Sequence, residues 1–355
     1  MKIIIYIVLF CIISTNVFAN EEVTNGTNEQ KPANELGFNP ANLIMEHVLD
    51  AHEFHFFEIN GHKVAISLPV ILYSPTKGWS FFNYNKLEEG QIFEGYKSEE
   101  GKIIAVNEKG EHDIVEKFYD FSLTRNVVQL LLSLILLCIL MLKIAKKYAV
   151  NGVNKAPSGF QNAVEPVITF IRDEVGKPNL GKNYQKYMPF LLTIFFFILI
   201  NNLIGLIPGT ANVTGNIAFT ALLGLISFIV IIFSTNKHYW AHIFNPDAPF
   251  IVKFILVPVE LIGVFTKPFA LIIRLFANMI AGHIVITCLI MLIFIFAAMN
   301  KGVGWGFSPI SLAFTIFIYL IEILVVFIQA FIFTNLTAVF IGQAKEGDDH
   351  HDKKH

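Results

Sequence analysis

The chain has 355 residues, a net charge of -2 and a mean hydropathy of +0.58, and 54% of it is hydrophobic. A soluble protein of this length rarely sustains that average, so the composition points to a membrane protein, and the near-neutral charge excludes the basic surface of a nucleic-acid binder. Three cysteines, Cys11, Cys138 and Cys288, each lie in an apolar run, with neither metal-ligand spacing nor a disulfide framework.

Residues 1–19 read as a secretory signal. Lys2 supplies the positive charge, residues 3–13 the apolar core, and Val17-Phe18-Ala19 a cleavage site before Asn20. A retained first membrane helix is the alternative, and either reading exports residues 20–120. Residues 20–40 are polar and read as a linker. In 41–57, Leu43, Val48 and Phe56 have the spacing of an amphipathic helix. Residues 62–119 mix short β-like runs, such as VAISLPVILY, with turn signals at Ser74-Pro75 and Lys77-Gly78-Trp79. The region 20–120 is therefore expected to be a small exported domain of mixed fold. His47, His52 and His55 cluster on the expected helix but share no ligand face, so no metal is expected there. Asn25-Gly-Thr and Asn212-Val-Thr match the glycosylation triplet, a weak signal.

The membrane domain is expected over 121–345. Residues 127–142 are apolar, extend back to Phe121, and are followed by Lys143, Lys146 and Lys147. A crossing needs about 20 apolar residues, and basic residues mark its cytoplasmic end, so this helix runs from outside to inside. The segment 160–176 is amphipathic and is expected to lie along the interface. Spans follow at 188–207 and 217–234, joined by the uncharged turn 208–216, and an inside loop at 236–250. The apolar stretches 251–298 and 310–341 exceed the hydrocarbon thickness, so they must tilt, bend or run in the interface. The link 299–309 is expected outside, and the charged tail 346–355 (ending DDHHDKKH) inside. The fold class is thus an all-α polytopic membrane protein: about five transmembrane helices, an interfacial amphipathic helix, and two long C-terminal helices forming an antiparallel hairpin.

Arg274, His283, Glu322 and Gln329 lie deep in the last two spans, and Glu260 nearer the inside end. A charge at the bilayer centre costs about 3 kcal/mol on insertion scales and usually faces a cavity, a partner or an ion path. Arg274 is too central to snorkel and keeps its proton, so it is a fixed charge and a poor relay. His283 and Glu322 are groups able to exchange protons. An antiparallel pairing of the two long helices brings His283 level with Glu322 and Arg274 level with Gln329. Glu322 and Gln329, seven apart, share a helix face; Arg274 and His283, nine apart, point about half a turn away from each other.

The stretch 274–283 (RLFANMIAGH) resembles the signature RLFxNMxAGH of subunit a of F-type ATP synthases. Upstream, VELIGVFTKPFALIIRLFANM, with Glu260, extends the likeness. Residues 201–216 (NNLIGLIPGTANVTGN) are similar to that family's central hairpin, and 329–340 (QAFIFTNLTAVF) to its final helix. The resemblance covers roughly 120 to 340. It implies that Arg274 faces a rotating c-ring, attracting each deprotonated carboxylate and blocking a leak between two half-channels. Asn278 would sit beside the arginine and Gln329 across the hairpin. Some members carry Glu where this chain has His283 and His where it has Glu322. That exchange implies a functional pair, assigned to the outside half-channel, with Glu260 on the inside exit path. Implied partners are the c-ring, the subunit b peripheral stalk, the other Fo and F1 subunits and membrane lipid, with no nucleic acid. The implied location is a bacterial inner membrane with a periplasmic N-terminal region and a cytoplasmic C-terminus.

The long exported region departs from the plain family pattern and resembles a variety found in some bacteria with an outer membrane. No phosphate loop is present in the sequence, so ATP chemistry is expected in other subunits, with no cofactor here. The competing readings are a stand-alone channel or secondary transporter, for which no internal repeat is visible, and a membrane enzyme using His283 and Glu322 as acid and base.

Overall fold

A computed structural model describes residues 50–345, apart from 60–61, 100, 108–111, 113–116, 153–158, 208, 236 and 246–248. The signal, the linker, residues 41–49 with His47, the Asn25 triplet and the tail 346–355 lie outside the described residues.

The region before the first long helix is built from short antiparallel strands: β1 (Glu53–Ile59), β2 (His62–Ser67), β3 (Pro69–Ser74), β4 (Gly78–Asn83), β5 (Tyr96–Glu99), β6 (Lys102–Ala105) and β7 (Tyr119–Asp120). They pair as β1–β2, as β4–β3–β7 and as β5–β6. The β3–β4 hairpin closes where the turn signals placed it, Ser74 pairing with Gly78. The Ser74 hydroxyl accepts from the Thr76 N–H at 3.2 Å, and Gly78, at φ +79°, takes the left-handed conformation such a three-residue loop needs. Alternate residues of β3 and β4 point inward and meet Leu87, Tyr96 and Ile103 in a small core containing Val70, Leu72 and Phe82.

The helix expected over 41–57 is corrected in its described part: Glu53–Ile59 is a strand. The run EFHFFEI is rich in aromatic β-formers, and its pairing with β2 supplies backbone partners that an isolated helix turn would lack. His52, just before it, is buried, stacks on Tyr84 with ring centroids 5.3 Å apart, and lies 3.4 Å from the Asp120 carboxylate.

Burial pushes the Asp120 carboxyl up, but the His52 contact and hydrogen bonds from Ser122 more than offset this and hold it below its ordinary value. A depressed carboxylate stabilises the folded state above its unfolded pKa and loses that contribution as pH falls through the folded one. Asp120→Asn should therefore make residues 50–122 more protease-sensitive at neutral pH, and the difference from the native chain should close below about pH 4. Limited proteolysis across pH measures this; a pH-independent difference would contradict it.

The first long helix, α1 (Arg125–Asn151), is tied directly to this region. Arg125 N–H donates to the Ala51 carbonyl at 2.9 Å, and the Asp50 carboxylate accepts from Asn126 N–H at 3.2 Å. A carboxylate at a helix N-terminus meets the positive end of the dipole. Then come α2 (Phe160–Phe170), a wider turn over Ile171–Gly176 and a short turn at Lys177–Leu180. These carry the segment read as amphipathic; Val164, Ile171, Val175 and Leu180 are buried, while Phe160 and Phe170 are exposed.

Helices α3 (Tyr184–Gly205) and α4 (Ile217–Ser234) fall on the second and third expected spans. The expected loop 236–250 contains a short helix, α5 (Lys237–Phe244). Last come α6 (Phe250–Met299) and α7 (Lys301–Lys345), of 50 and 45 residues, about 75 and 68 Å long at 1.5 Å per residue. Among the described residues, five helical stretches are long and apolar enough to cross a membrane.

The expected loop 299–309 is corrected: only Asn300 separates α6 from α7. Its side chain accepts from Gly302 N–H at 2.8 Å, capping the new helix. Gly304 completes the reversal, because a Cβ there would lie 2.6 Å from the Ala297 Cα.

The described chain forms two compact units. One holds the strands, the start of α1, Asn201–Phe219 and Met279–Ile323. The other holds Ser133–Ile200, Thr220–Asn278 and the chain from Leu324.

Candidate functional site

In the second unit, α6 buries one stripe, Val264, Leu271 and Leu275, at helical spacing. Flanking that stripe, α6 presents Ala270, Arg274, Ala277 and Asn278, all exposed. Arg274 and Asn278 are one turn apart and share a face. The Asn278 amide donates to Gln329 Oε1 at 2.8 Å, and Gln329 is only 3% exposed. Equal-depth pairing had put Arg274 opposite Gln329; the hydrogen bond is made one turn further along α6, by Asn278. The result is a guanidinium on an open face, with a polar bridge to α7 beside it and small residues around it.

Glu260 is half-buried, two helical turns before Lys267 on the same side of α6. Its charge is felt by Tyr239 on α5, whose hydroxyl is pushed up by burial first and by Glu260 second. Lys267 donates to Gln343 Oε1 at 3.0 Å and lies 5.2 Å from the Phe340 ring centre. Tyr239, Lys267, Pro268 and Phe340 line a cleft of about 250 Å³, including the space open to solvent.

In the first unit Glu322 is a buried carboxyl, 5% exposed, on the same buried stripe of α7 as Ser311 and Thr315. Both its carboxylate oxygens are buried without a hydrogen-bond partner among the described residues. A carboxyl so placed is costly while charged, and a proton discharges it. It rests against Gly282, the neighbour of His283: a Cβ at Gly282 would collide with the Glu322 carboxyl. His283 and Glu322 are therefore level on the hairpin, as the antiparallel register required. Gly282→Ala should force the carboxyl aside and destabilise the hairpin by the ~1–3 kcal/mol typical of overpacking. Thermal unfolding of Gly282→Ala with and without Glu322→Ala checks this: the effect of the first change should largely vanish in the second background.

The same unit contains polar residues that sequence reasoning passed over. Asn202 is fully buried and accepts from the Thr214 hydroxyl at 2.6 Å. Asn212 accepts from Gly215 N–H at 3.0 Å and donates to the Met279 carbonyl of α6 at 3.4 Å. The Tyr319 hydroxyl donates to the Leu206 carbonyl. Asn212-Val-Thr, read as a glycosylation triplet, is thus engaged within the fold. A signal for Asn202 was present: an Asn-Asn pair inside an apolar span is costly unless hydrogen-bonded, though less so than a charge.

Comparison with known proteins places these residues in a family. Residues 127–342 match the family described as ATP synthase A chain, and residues 43–122 match a Domain of unknown function (DUF8433). The chain is 48% identical over 242 residues to "ATP synthase subunit a" of Chloroherpeton thalassium, covering 67% of this chain and 71% of that protein. It is 44% identical over 237 residues to the protein of the same name from Chlorobium phaeobacteroides strain BS1, covering 65% and 68%. With the Anaeromyxobacter dehalogenans "ATP synthase subunit a" it shares 38% identity over 241 residues, covering 65% and 60%. The chain is a membrane protein belonging to the ATP synthase A chain family.

Proposed function

We propose that this chain provides two half-channels and the arginine that work against the rotating c-ring of an F-type ATP synthase, coupling proton flow to rotation. Family membership supplies the frame, a membrane subunit of ATP synthase that takes part in proton translocation. The observation that carries the finer reading is the exposure of Arg274 on a helix in the membrane domain. A permanent charge facing bare lipid is unfavourable, so that face calls for an anionic partner within the membrane. A carboxylate carried by a neighbouring subunit meets that need, and Ala270 and Ala277 leave room for its helix.

Along α6 the order is Glu260, Lys267, Arg274, Asn278, His283, so Arg274 lies about 21 Å from Glu260 and about 14 Å from His283 by helical rise. His283 and Glu322, with Asn202 and Asn212 nearby in sequence-distant but co-packed segments, form the outside half-channel. Glu260, Tyr239 and Lys267 form the inside exit. A proton taken up through Glu322 and His283 neutralises a ring carboxylate, which then enters lipid. After a turn of the ring, another carboxylate gives its proton to the Glu260 side and reaches Arg274 charged. Arg274 holds that charge and, as it does not release its own proton, denies the two paths a direct connection. The chain itself performs no bond chemistry; that belongs to partner subunits, with subunit b and the peripheral stalk holding it still against the ring. The N-terminal region faces the periplasm and residues 346–355 the cytoplasm of a bacterial inner membrane.

Affinity purification of the chain from its native membrane tests this reading. A ring of small, acid-bearing helical hairpins should co-purify; a lone chain that conducts ions by itself would support a stand-alone channel instead.

A further inference from the structure

The sheet β4–β3–β7 has two faces of different character. One enters the small core through Val70, Leu72 and Phe82. The other carries Tyr73, Trp79, Phe81, Tyr119 and Phe121, and the last four are 57%, 66%, 56% and 47% exposed. Their rings form a continuous surface: Tyr73 lies 4.9 Å from Trp79, and Trp79 lies 5.9 Å from both Phe81 and Phe121. The outward positions of these strands, from Pro69 to Tyr73, Trp79 to Asn83 and Tyr119 to Phe121, carry no charged side chain. An apolar patch of this kind marks an interaction surface.

Two observations identify the occupant. The first is chemical: indole and phenol rings have an apolar body and one polar tip, the combination that suits the headgroup zone of a bilayer. The second is the tether. Phe121 precedes the first residue of α1 by four positions, which limits the gap to about 14 Å of extended chain. That short connector is not a free linker. Phe121 N–H donates to the Ile71 carbonyl at 2.9 Å, Leu123 N–H to Pro69 at 3.4 Å and Arg125 N–H to Ala51 at 2.9 Å, so the sheet and the start of the span move together.

We propose that this aromatic face seats in the headgroup layer of the membrane at the Arg125 end of α1, docking the N-terminal domain flat on the bilayer. The inference rests on membrane residence alone and holds whichever side that end occupies, so it can fail without the proton-path reading failing. The domain then acts as a lipid-anchored foot that fixes where α1 enters the membrane.

The chain has three tryptophans. A full-length variant with Trp240→Phe and Trp305→Phe leaves Trp79 as the reporter in reconstituted vesicles. Headgroup-labelled nitroxide lipid should remove most of the Trp79 emission, and aqueous iodide little of it. Strong quenching by iodide with little by lipid would overturn the proposal, as would protection from both, which would mean a protein partner. The unmodified chain supplies a second measurement should the variant fail to insert. Photolabelling with a headgroup-diazirine lipid should place adducts on residues 78–83 and 119–121; adducts confined to the apolar helices would overturn the proposal.

Discussion

Replacing Arg274 by Ala is expected to abolish ATP-driven proton pumping while the complex still assembles. The two halves of that expectation have different physical origins. Assembly is retained because Arg274 is exposed and contributes nothing to the buried stripe of α6, where Leu271 and Leu275 are 2% and 0% exposed. Removing a mid-membrane charge also relieves an insertion cost of about 3 kcal/mol. Pumping is lost because no other cation of α6 lies within a turn of Arg274. Lys267, two turns away along α6, already donates to Gln343, and Asn278 is uncharged and bonded to Gln329. A ring carboxylate arriving without its proton then has no counter-charge at the interface. Dye quenching in inverted vesicles measures the pumping, and recovery of the intact complex in detergent measures the assembly. Normal pumping by this variant would reject the assignment.

Glu322→Gln should slow transport far more than Glu260→Gln. Glu322 is 5% exposed, and neither oxygen has a hydrogen-bond partner among the described residues, so bulk water does not stand in for its carboxyl. A positioned proton-transfer group contributes roughly 10²–10⁴-fold, and a loss toward that range is expected. Gln keeps the shape, so Gly282 still accommodates it and a packing defect does not confuse the result. Glu260 is only half-buried and acts on Tyr239, which lines a cleft, so water can stand in for it; a loss of a few-fold is expected there. Equal or reversed effects on the initial rate of acidification would undo the ordering of the two paths.

The membrane architecture was legible in the sequence because hydrocarbon thickness sets a length that apolar runs either meet or miss. The run at 217–234 is α4 to the residue, and the run at 188–207 falls on α3, Tyr184–Gly205. The hairpin was legible too, since one antiparallel register explained His283 and Glu322 together, and Gly282 packs where that register demands. The one-residue reversal at Asn300 was not. Lys301, Gly302, Gly304 and Pro309 carry loop-like local signals, but Asn300 caps the helix and the glycines allow the close return that the long helices impose. At Glu53–Ile59 the helical apolar spacing gave way to the aromatic β-formers of EFHFFEI and their pairing with β2.

The candidate site was read more completely in its charges than in its neutral polar groups. Arg274, His283, Glu322 and Glu260 stand out in an apolar sequence because each is expensive there. The Asn202–Thr214 and Asn212–Met279 bonds were missed because an amide in a span is a weaker signal, and its meaning depends on partners twelve or more positions away. Likewise the register paired Gln329 with Arg274, whereas the hydrogen bond to Gln329 comes from Asn278, one turn further along α6.

The account turns on the face of α6 that carries Arg274 meeting a moving acidic helix. Single cysteines placed along 270–281, in a chain cleared of its native cysteines, can be tested for disulfide formation with a cysteine next to the ring carboxylate. The account predicts cross-links at Ala270, Ala277 and Ala281 and none at Leu271, Leu275 or Met279, with cross-linking reaching every ring subunit when ATP drives rotation. Cross-links on the leucine face, or none on either face in an assembled complex, would contradict it.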